Sequence, residues 1–224
     1  GQFAKHVKIS NNSISILLKL LRKLNLISSY YSVVVTKNIP VFAGLGGGTS
    51  NAAFLLKFLM KNRINESLLK KVEKLIGSDL RLFFYRQGFL KNLKNIVSTK
   101  KNQKLYFLLA NPNVKCSTYE IYSKVKKYSR KKKLNFNKIN TKSKFIDYIF
   151  NNKNELQSIV EKKYPIVKKL LTDISFERGC YFSRMSGSGS VCYGLFNNKR
   201  AVKKALIKIK TKYPKFWFST AKTV

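Results

Sequence analysis

The stretch NIPVFAGLGGGTSNAAFLLKFL, Asn38 to Leu59, decides the fold. Four of the chain's 11 glycines lie between Gly44 and Gly48, after one apolar run and before another. Consecutive glycines let backbone N–H groups converge on one concavity with no Cβ in the way. A helix that starts there adds its own unpaired N–H groups and the positive end of its dipole. Gly44 to Asn51 therefore reads as a phosphate cradle, with Thr49 or Ser50 capping a helix that runs to Lys61. A Walker loop is excluded because no Lys follows the glycines, and a dinucleotide loop because Thr49 stands where its third Gly belongs. What remains is a triphosphate loop built from amides and hydroxyls, with Thr49 or Ser50 able to reach a phosphate or its Mg²⁺.

Working outward, the 224 residues have 44% hydrophobic content, a globular composition with material for one large or two small domains. The longest apolar run, AAFLLKFLM, is interrupted by Lys57, so no membrane span is expected. No secretory signal is visible, and the expected compartment is the cytoplasm. Cys116, Cys180 and Cys192 form neither an even set nor a C-x-x-C pair, which excludes a disulfide framework and a zinc site. His6 is the sole histidine, which argues against His-based catalysis and His-ligated metals and reads as an exposed terminal His.

The 46 basic residues outnumber the 9 acidic ones, for a net charge of +37. Nucleic-acid binding is one reading of that excess. The lysines are spread along the whole chain, however, and the densest cluster, Lys126 to Lys144, reads as a solvated loop. Lys, Asn, Ile, Phe and Tyr are abundant together, as an AT-rich coding sequence would produce. No specific nucleic-acid partner is expected, although an anionic small substrate would benefit from the field.

Ile16, Leu17, Leu20, Leu21 and Leu24 recur at helical spacing after a cap at Asn11 or Asn12. YYSVVVTK (Tyr30 to Lys37) is β-branched and predicts a strand, and Glu66 to Ile76 a helix. DLRLFFY and KLYFLLANP predict strands, and Tyr119 to Tyr128 a helix. Helices are predicted at about Lys144 to Phe150, Glu155 to Leu171 (interrupted near Pro165) and Lys199 to Tyr213. CYFSRM and SVCYGLF predict strands joined by SGSG, and FWFSTAK a closing strand. The order suggests two-layer α+β, with a domain boundary between about Leu93 and Lys104.

Among the nine carboxylates, eight lie on or beside Lys-rich helical stretches, where solvated ion pairs are expected. Asp79 differs, because it precedes the apolar residues Leu80, Leu82, Phe83 and Phe84. A carboxylate at the mouth of an apolar strand is a candidate base for a hydroxyl, with a corner cap as the alternative.

Pro40 to Ala53, P-V-F-A-G-L-G-G-G-T-S-N-A-A, resembles the ATP-phosphate motif of the GHMP kinases. The triple Gly before Thr-Ser-Asn-Ala-Ala is similar to the 4-diphosphocytidyl-2-C-methyl-D-erythritol kinase family in particular. LIGSDLRLFF resembles the segment with that family's catalytic Asp, NKNELQSIVEKKYP its Asn-Asp-Leu-Glu helix, and SRMSGSGSVCYGLF its third glycine motif. The resemblance runs from about Asn12 to Thr223. It implies a two-domain GHMP kinase fold of the α+β class: residues 1–98 an N-terminal α/β domain incomplete at its start, and 99–224 a ferredoxin-like C-terminal domain.

The implied roles are ATP binding by Pro40, Val41, Phe42, Ala43, Gly44, Leu45, Gly46, Gly47, Gly48, Thr49, Ser50 and Asn51, and catalysis by Asp79. Ser186, Gly187, Ser188 and Gly189 would support the phosphate site. ATP and Mg²⁺ are implied, with no metal ligand assigned beyond Thr49 or Ser50. The implied acceptor is an erythritol hydroxyl of a cytidine-diphosphate-linked methylerythritol, in non-mevalonate isoprenoid precursor synthesis. Homoserine or mevalonate types of GHMP kinase are the alternative enzymes.

The sequence also departs from the family pattern. The P-A-K-[IL]-N strand with its catalytic Lys and the G-Y-H substrate loop have no counterpart here, and Gly1 falls downstream of them. The expectation is a chain incomplete at its start and inactive alone. Arg81 stands where the family usually has Pro, and RQGFLKNLK replaces its Gly-Arg-Gly stretch.

Overall fold

The structure, a computed structural model, describes residues 1–90, 95–98, 102–126, 139 and 141–223. The chain divides into two compact units, Gly1–Val41 with Gly46–Thr99, and Phe42–Leu45 with Lys100–Val224.

The first unit is mainly helical. Helix α1, Ser13–Lys23, starts where the Asn12 carboxamide oxygen accepts from the amides of Ile14 and Ser15 at 3.0 and 3.1 Å. Helix α2 spans Gly47–Met60 and α3 spans Glu66–Ile76, the latter capped by Asn65 on the Leu68 amide at 2.9 Å. Leu17, Leu21, Ala52, Ala53, Leu56, Met60, Leu68 and Val72 form the core with Leu80. Each fully buried Leu there contributes about 1.5–3 kcal/mol. A small antiparallel hairpin, β1 (Gly88–Leu90) with β2 (Ile96–Ser98), follows in register Gly88 to Ser98.

In the second unit the strands are β3 (Tyr106–Asn111), β4 (Cys180–Met185), β5 (Cys192–Phe196) and β6 (Trp217–Lys222). They form one antiparallel sheet in the order β4-β5-β3-β6. Counted within this unit, the order across the sheet is second, third, first, fourth, the ferredoxin-like arrangement expected from the β-α-β-β-α-β pattern. Helices α4 (Thr118–Ser123), α5 (Lys142–Asn151) and α6 (Gln157–Lys163) precede α7 (Pro165–Ser175), which packs on β4 and β5. Helix α8 (Lys199–Lys212) packs on β3 and β6. Pro165 opens α7, because a proline lacks the N–H that a helix interior needs but is tolerated in the first turn.

Four local expectations are corrected. Tyr30 to Lys37 forms no strand: Tyr30 and Val34 are 87% and 91% exposed, and no β-ladder pairs this segment among the described residues. A β-rich composition makes a strand only where a neighbour supplies the ladder. Residues Ser78–Phe84 form a 3₁₀ helix instead of a strand. Leu80, Phe83 and Phe84 reach the core at spacings of three and four, a helical pattern that the apolar run concealed. Helix α4 ends at Ser123, short of the expected Tyr128. Thr49 and Ser50 do not cap α2, since its cap is Gly46. The hairpin β1–β2 was not anticipated. Most of the Lys126 to Lys144 cluster lies outside the described residues, as does part of the Leu93 to Lys104 boundary.

Candidate active site

The glycine stretch is shared by the two units. Residues 42–45 belong to the second, where Ala43 is buried and its carbonyl accepts from the Val191 amide at 3.2 Å. The Ser186 hydroxyl donates to the Gly44 carbonyl at 2.7 Å. A Cβ on Gly44 would lie 2.2 Å from the Ser186 carbonyl oxygen, and Gly44 has φ of +70°, so only glycine fits this close approach. The loop after β4 is itself held. Asn154 donates from its amide nitrogen to the carbonyls of Met185 (2.9 Å) and Gly187 (2.8 Å), while its oxygen accepts from the Leu156 amide at 3.0 Å. Gln157 accepts from the Met185 amide at 3.0 Å. The Ser188 and Thr118 hydroxyls lie 3.0 Å apart. Ser186, Gly187, Ser188 and Gly189 thus form one braced loop against Ala43 and Gly44.

Residues 46–51 belong to the first unit with Pro40 and Val41. Gly46, at φ 63° and ψ 22°, is left-handed and starts α2. The first bond into the helix runs from the Ser50 amide to the Gly46 carbonyl at 2.8 Å. Among the described residues, no backbone acceptor takes the amides of Gly47, Gly48 and Thr49. Gly48 is exposed, and a Cβ there would have only Ser13 near it, at 3.5 Å. The Ser50 hydroxyl donates to the Gly47 carbonyl at 2.9 Å, whereas the Thr49 hydroxyl has no partner among the described residues. Pro40 is buried and Phe42 is 67% exposed, while Val41, Leu45 and Asn51 are half-buried.

Sequence reasoning passed over Lys37, which it placed at the end of a strand. Its ammonium lies 3.1 Å from where a Cβ on Gly47 would stand. It is half-buried, has no ion pair among the described residues, and burial lowers its pKa below the ordinary 10.5. An unpaired ammonium beside the positive end of a helix is electrostatically unfavourable unless an anion joins it. One lysine among 46 basic residues carries no local signal of that placement. Asn154 and Gln157 lie in the NKNELQSIVEKKYP stretch, where no local signal marks their hold on the loop after β4.

Asp79 is exposed, in the first turn of the 3₁₀ helix. Gly77, two residues earlier, stands beside Thr49: its Cβ position is 3.8 Å from the Thr49 hydroxyl oxygen. The first unit therefore brings the turn that leads into Asp79 next to the unbonded amides of α2.

The GHMP kinases N terminal domain model matches residues 11–78, and the GHMP kinases C terminal model residues 135–215. The chain is 35% identical over its whole length to a 4-diphosphocytidyl-2-C-methyl-D-erythritol kinase of Pelagibacter ubique, spanning 80% of that protein. It is 32% identical over 83% of its length to the Anaplasma marginale enzyme of the same name, of which it spans 65%. A crystal structure of 4-(cytidine 5'-diphospho)-2C-methyl-D-erythritol kinase shares the fold with a TM-score of 0.71 at 19% identity, covering 95% of this chain and 78% of that one. With both domain models matched in order and four fifths of a 35%-identical relative spanned, the chain belongs to the 4-diphosphocytidyl-2-C-methyl-D-erythritol kinase family of the GHMP kinases.

Proposed function

We propose that this kinase transfers the γ-phosphoryl group of ATP to the erythritol hydroxyl of 4-diphosphocytidyl-2-C-methyl-D-erythritol, in the synthesis of isoprenoid precursors. The observation that carries the site assignment is the start of α2, where, among the described residues, the amides of Gly47, Gly48 and Thr49 have no backbone acceptor and the neighbouring Lys37 has no ion pair. That donor set suits a polyphosphate, and the exposed face of Gly48 leaves it room. Pro40 to Asn51 form the ATP-binding stretch, with the Ser186 to Gly189 loop fixing the backbone at Gly44. Mg²⁺ would accompany the triphosphate and neutralise its charge. Thr49 suits donation to a phosphate better than Ser50, whose hydroxyl proton is already committed to the Gly47 carbonyl, while the oxygen lone pairs of either could serve the ion.

Asp79 orients the acceptor hydroxyl and takes its proton as the oxygen attacks the γ-phosphorus. The bond from that phosphorus to the β–γ bridging oxygen breaks, and ADP leaves. Such catalysis is mainly positioning and charge stabilisation. We further assign residues 1–98 and 99–224 as the two GHMP domains.

The test is the kinetics of Asp79→Asn with ATP and the cytidylyl acceptor. Turnover should fall by about 100-fold or more, while ATP affinity stays within about twofold, because the carboxylate touches the hydroxyl and not the nucleotide. Near-normal turnover would remove Asp79 from the catalytic role and leave it a helix-corner residue.

A further inference from the structure

We propose that Arg81 is the positioning residue for Asp79, clamping the 3₁₀ helix to α3 so that the carboxylate keeps one direction. The proposal rests on the reading of Asp79 given above.

A 3₁₀ helix turns once every three residues, so successive side chains point about 120° apart. Three neighbours use the three directions. Asp79 faces solvent, Leu80 is fully buried in the core, and Arg81 turns to α3. Arg81 therefore does not sit against the Asp79 carboxylate in order to neutralise it. It grips the helix from another side.

The grip is unusually complete. Nε and Nη2 of Arg81 donate to the two oxygens of Glu73 at 2.5 and 3.1 Å. Nη1 and Nη2 donate to the two oxygens of Glu66 at 2.9 and 2.7 Å. One guanidinium thus holds two carboxylates, each through both oxygens, and the planar fork fixes orientation as well as distance. The side chains of Arg81 and Glu73 are only 12% and 14% exposed, so solvent screens this half of the network poorly. Glu66, at 56%, is the exposed arm. The chain has nine carboxylates against 46 cations, and this arginine takes two of them.

The segment needs such a hold. It runs seven residues, Ser78–Phe84, whereas 3₁₀ runs beyond three or four are uncommon because their hydrogen bonds are poorly aligned. Lys57 adds a second tie from α2, donating to the Phe83 carbonyl at 2.6 Å between the rings of Phe54 and Phe84. Of these two ties, that of Arg81 lies within two residues of Asp79 and that of Lys57 four residues away.

The experiment is a double-mutant cycle of Arg81→Lys and Asp79→Asn, with steady-state kinetics, nucleotide titration and circular dichroism. Lysine keeps the charge and loses the fork. Arg81→Lys should lower kcat by about 100-fold, the scale of a displaced catalytic group, with the KM for ATP within about twofold. The double variant should be no slower than Asp79→Asn alone, because Arg81 acts through that carboxylate. A normal kcat in Arg81→Lys overturns the proposal, and so do losses that multiply in the double variant. A slow Asp79→Asn with a normal Arg81→Lys removes the clamp and spares the base. A normal Asp79→Asn removes the base reading first, and the clamp with it. Should Arg81→Lys fail to fold, Glu66→Gln at the exposed arm decides by the same cycle. A loss of about tenfold that vanishes in the Asp79→Asn background supports the clamp, and an unchanged kcat overturns it.

Discussion

Two glycines four residues apart separate structural from ligand-driven demands. Gly44 is needed by the fold, since its Cβ would meet the Ser186 carbonyl at 2.2 Å. Gly44→Ala should lower Tm, by strain at positive φ and by displacing the braced loop. Gly48 has no such neighbour, and alanine in a helix is favoured over glycine by roughly 0.5–1 kcal/mol. Gly48→Ala should therefore keep or raise Tm and yet weaken ATP, because the methyl stands on the amide face that the phosphates would use. Thermal unfolding and nucleotide titration check both, and unchanged ATP affinity in Gly48→Ala would remove the cradle. Lys37 adds a pH signature. Burial lowers its pKa from 10.5 in the free protein, and a bound polyanion raises it again. The bound state then holds more protons in the window below 10.5, so ATP affinity should fall as pH rises through that window. Calorimetry in buffers of different ionisation heat would register the proton uptake, and Lys37→Met should abolish it.

Among the elements, the start of α6 governs the loop after β4. Asn154 bridges the Met185 and Gly187 carbonyls and also accepts from the Leu156 amide. Asn154→Ala removes these bonds and should cost about 1–3 kcal/mol in denaturant unfolding. Asn154→Asp should cost more, because it keeps the acceptor but places a carboxylate against two carbonyls. Equal stability of the two variants would show that the bridge to the carbonyls carries no weight. Most helices were legible because their signals are local: the helical spacing of Ile16, Leu17, Leu20, Leu21 and Leu24 behind a cap at Asn12, and the break at Pro165, where the structure starts α7. The segment from Ser78 to Phe84 was not. Its apolar residues satisfy a strand pattern as readily as a 3₁₀ one, and the fold places Leu80, Phe83 and Phe84 at the core while Arg81 meets Glu66 and Glu73 on α3.

At the scale of the molecule, the net charge of +37 attracts any polyanion. Duplex and single-stranded DNA should bind at low salt with no sequence preference, and the affinity should drop by orders of magnitude between about 50 and 200 mM salt. Tight, sequence-dependent binding at physiological salt would favour a nucleic-acid role over the kinase. No helix among the described residues is long and apolar enough to cross a membrane. Each unit has its own buried cluster, one of helices and one of helices on the four-stranded sheet, which accords with two domain models matching in sequence order.

The sequence by itself determined what short windows encode: the glycine run, the amphipathic helices and the strand-turn-strand around SGSG. It also set the β-α-β-β-α-β order that the sheet β4-β5-β3-β6 follows. Tertiary structure alone decided what depends on partners distant in the chain. Ser186 reaches Gly44 across 142 residues, and Asn154 reaches Met185 across 31. Lys37 gains meaning only when the turn places it over Gly47, and Tyr30 to Lys37 forms no strand because no neighbour pairs it among the described residues. The physical reason is the same throughout. A cap or a periodic face is a property of adjacent residues, whereas a ladder, an ion pair or a close backbone approach exists only once two remote segments have met.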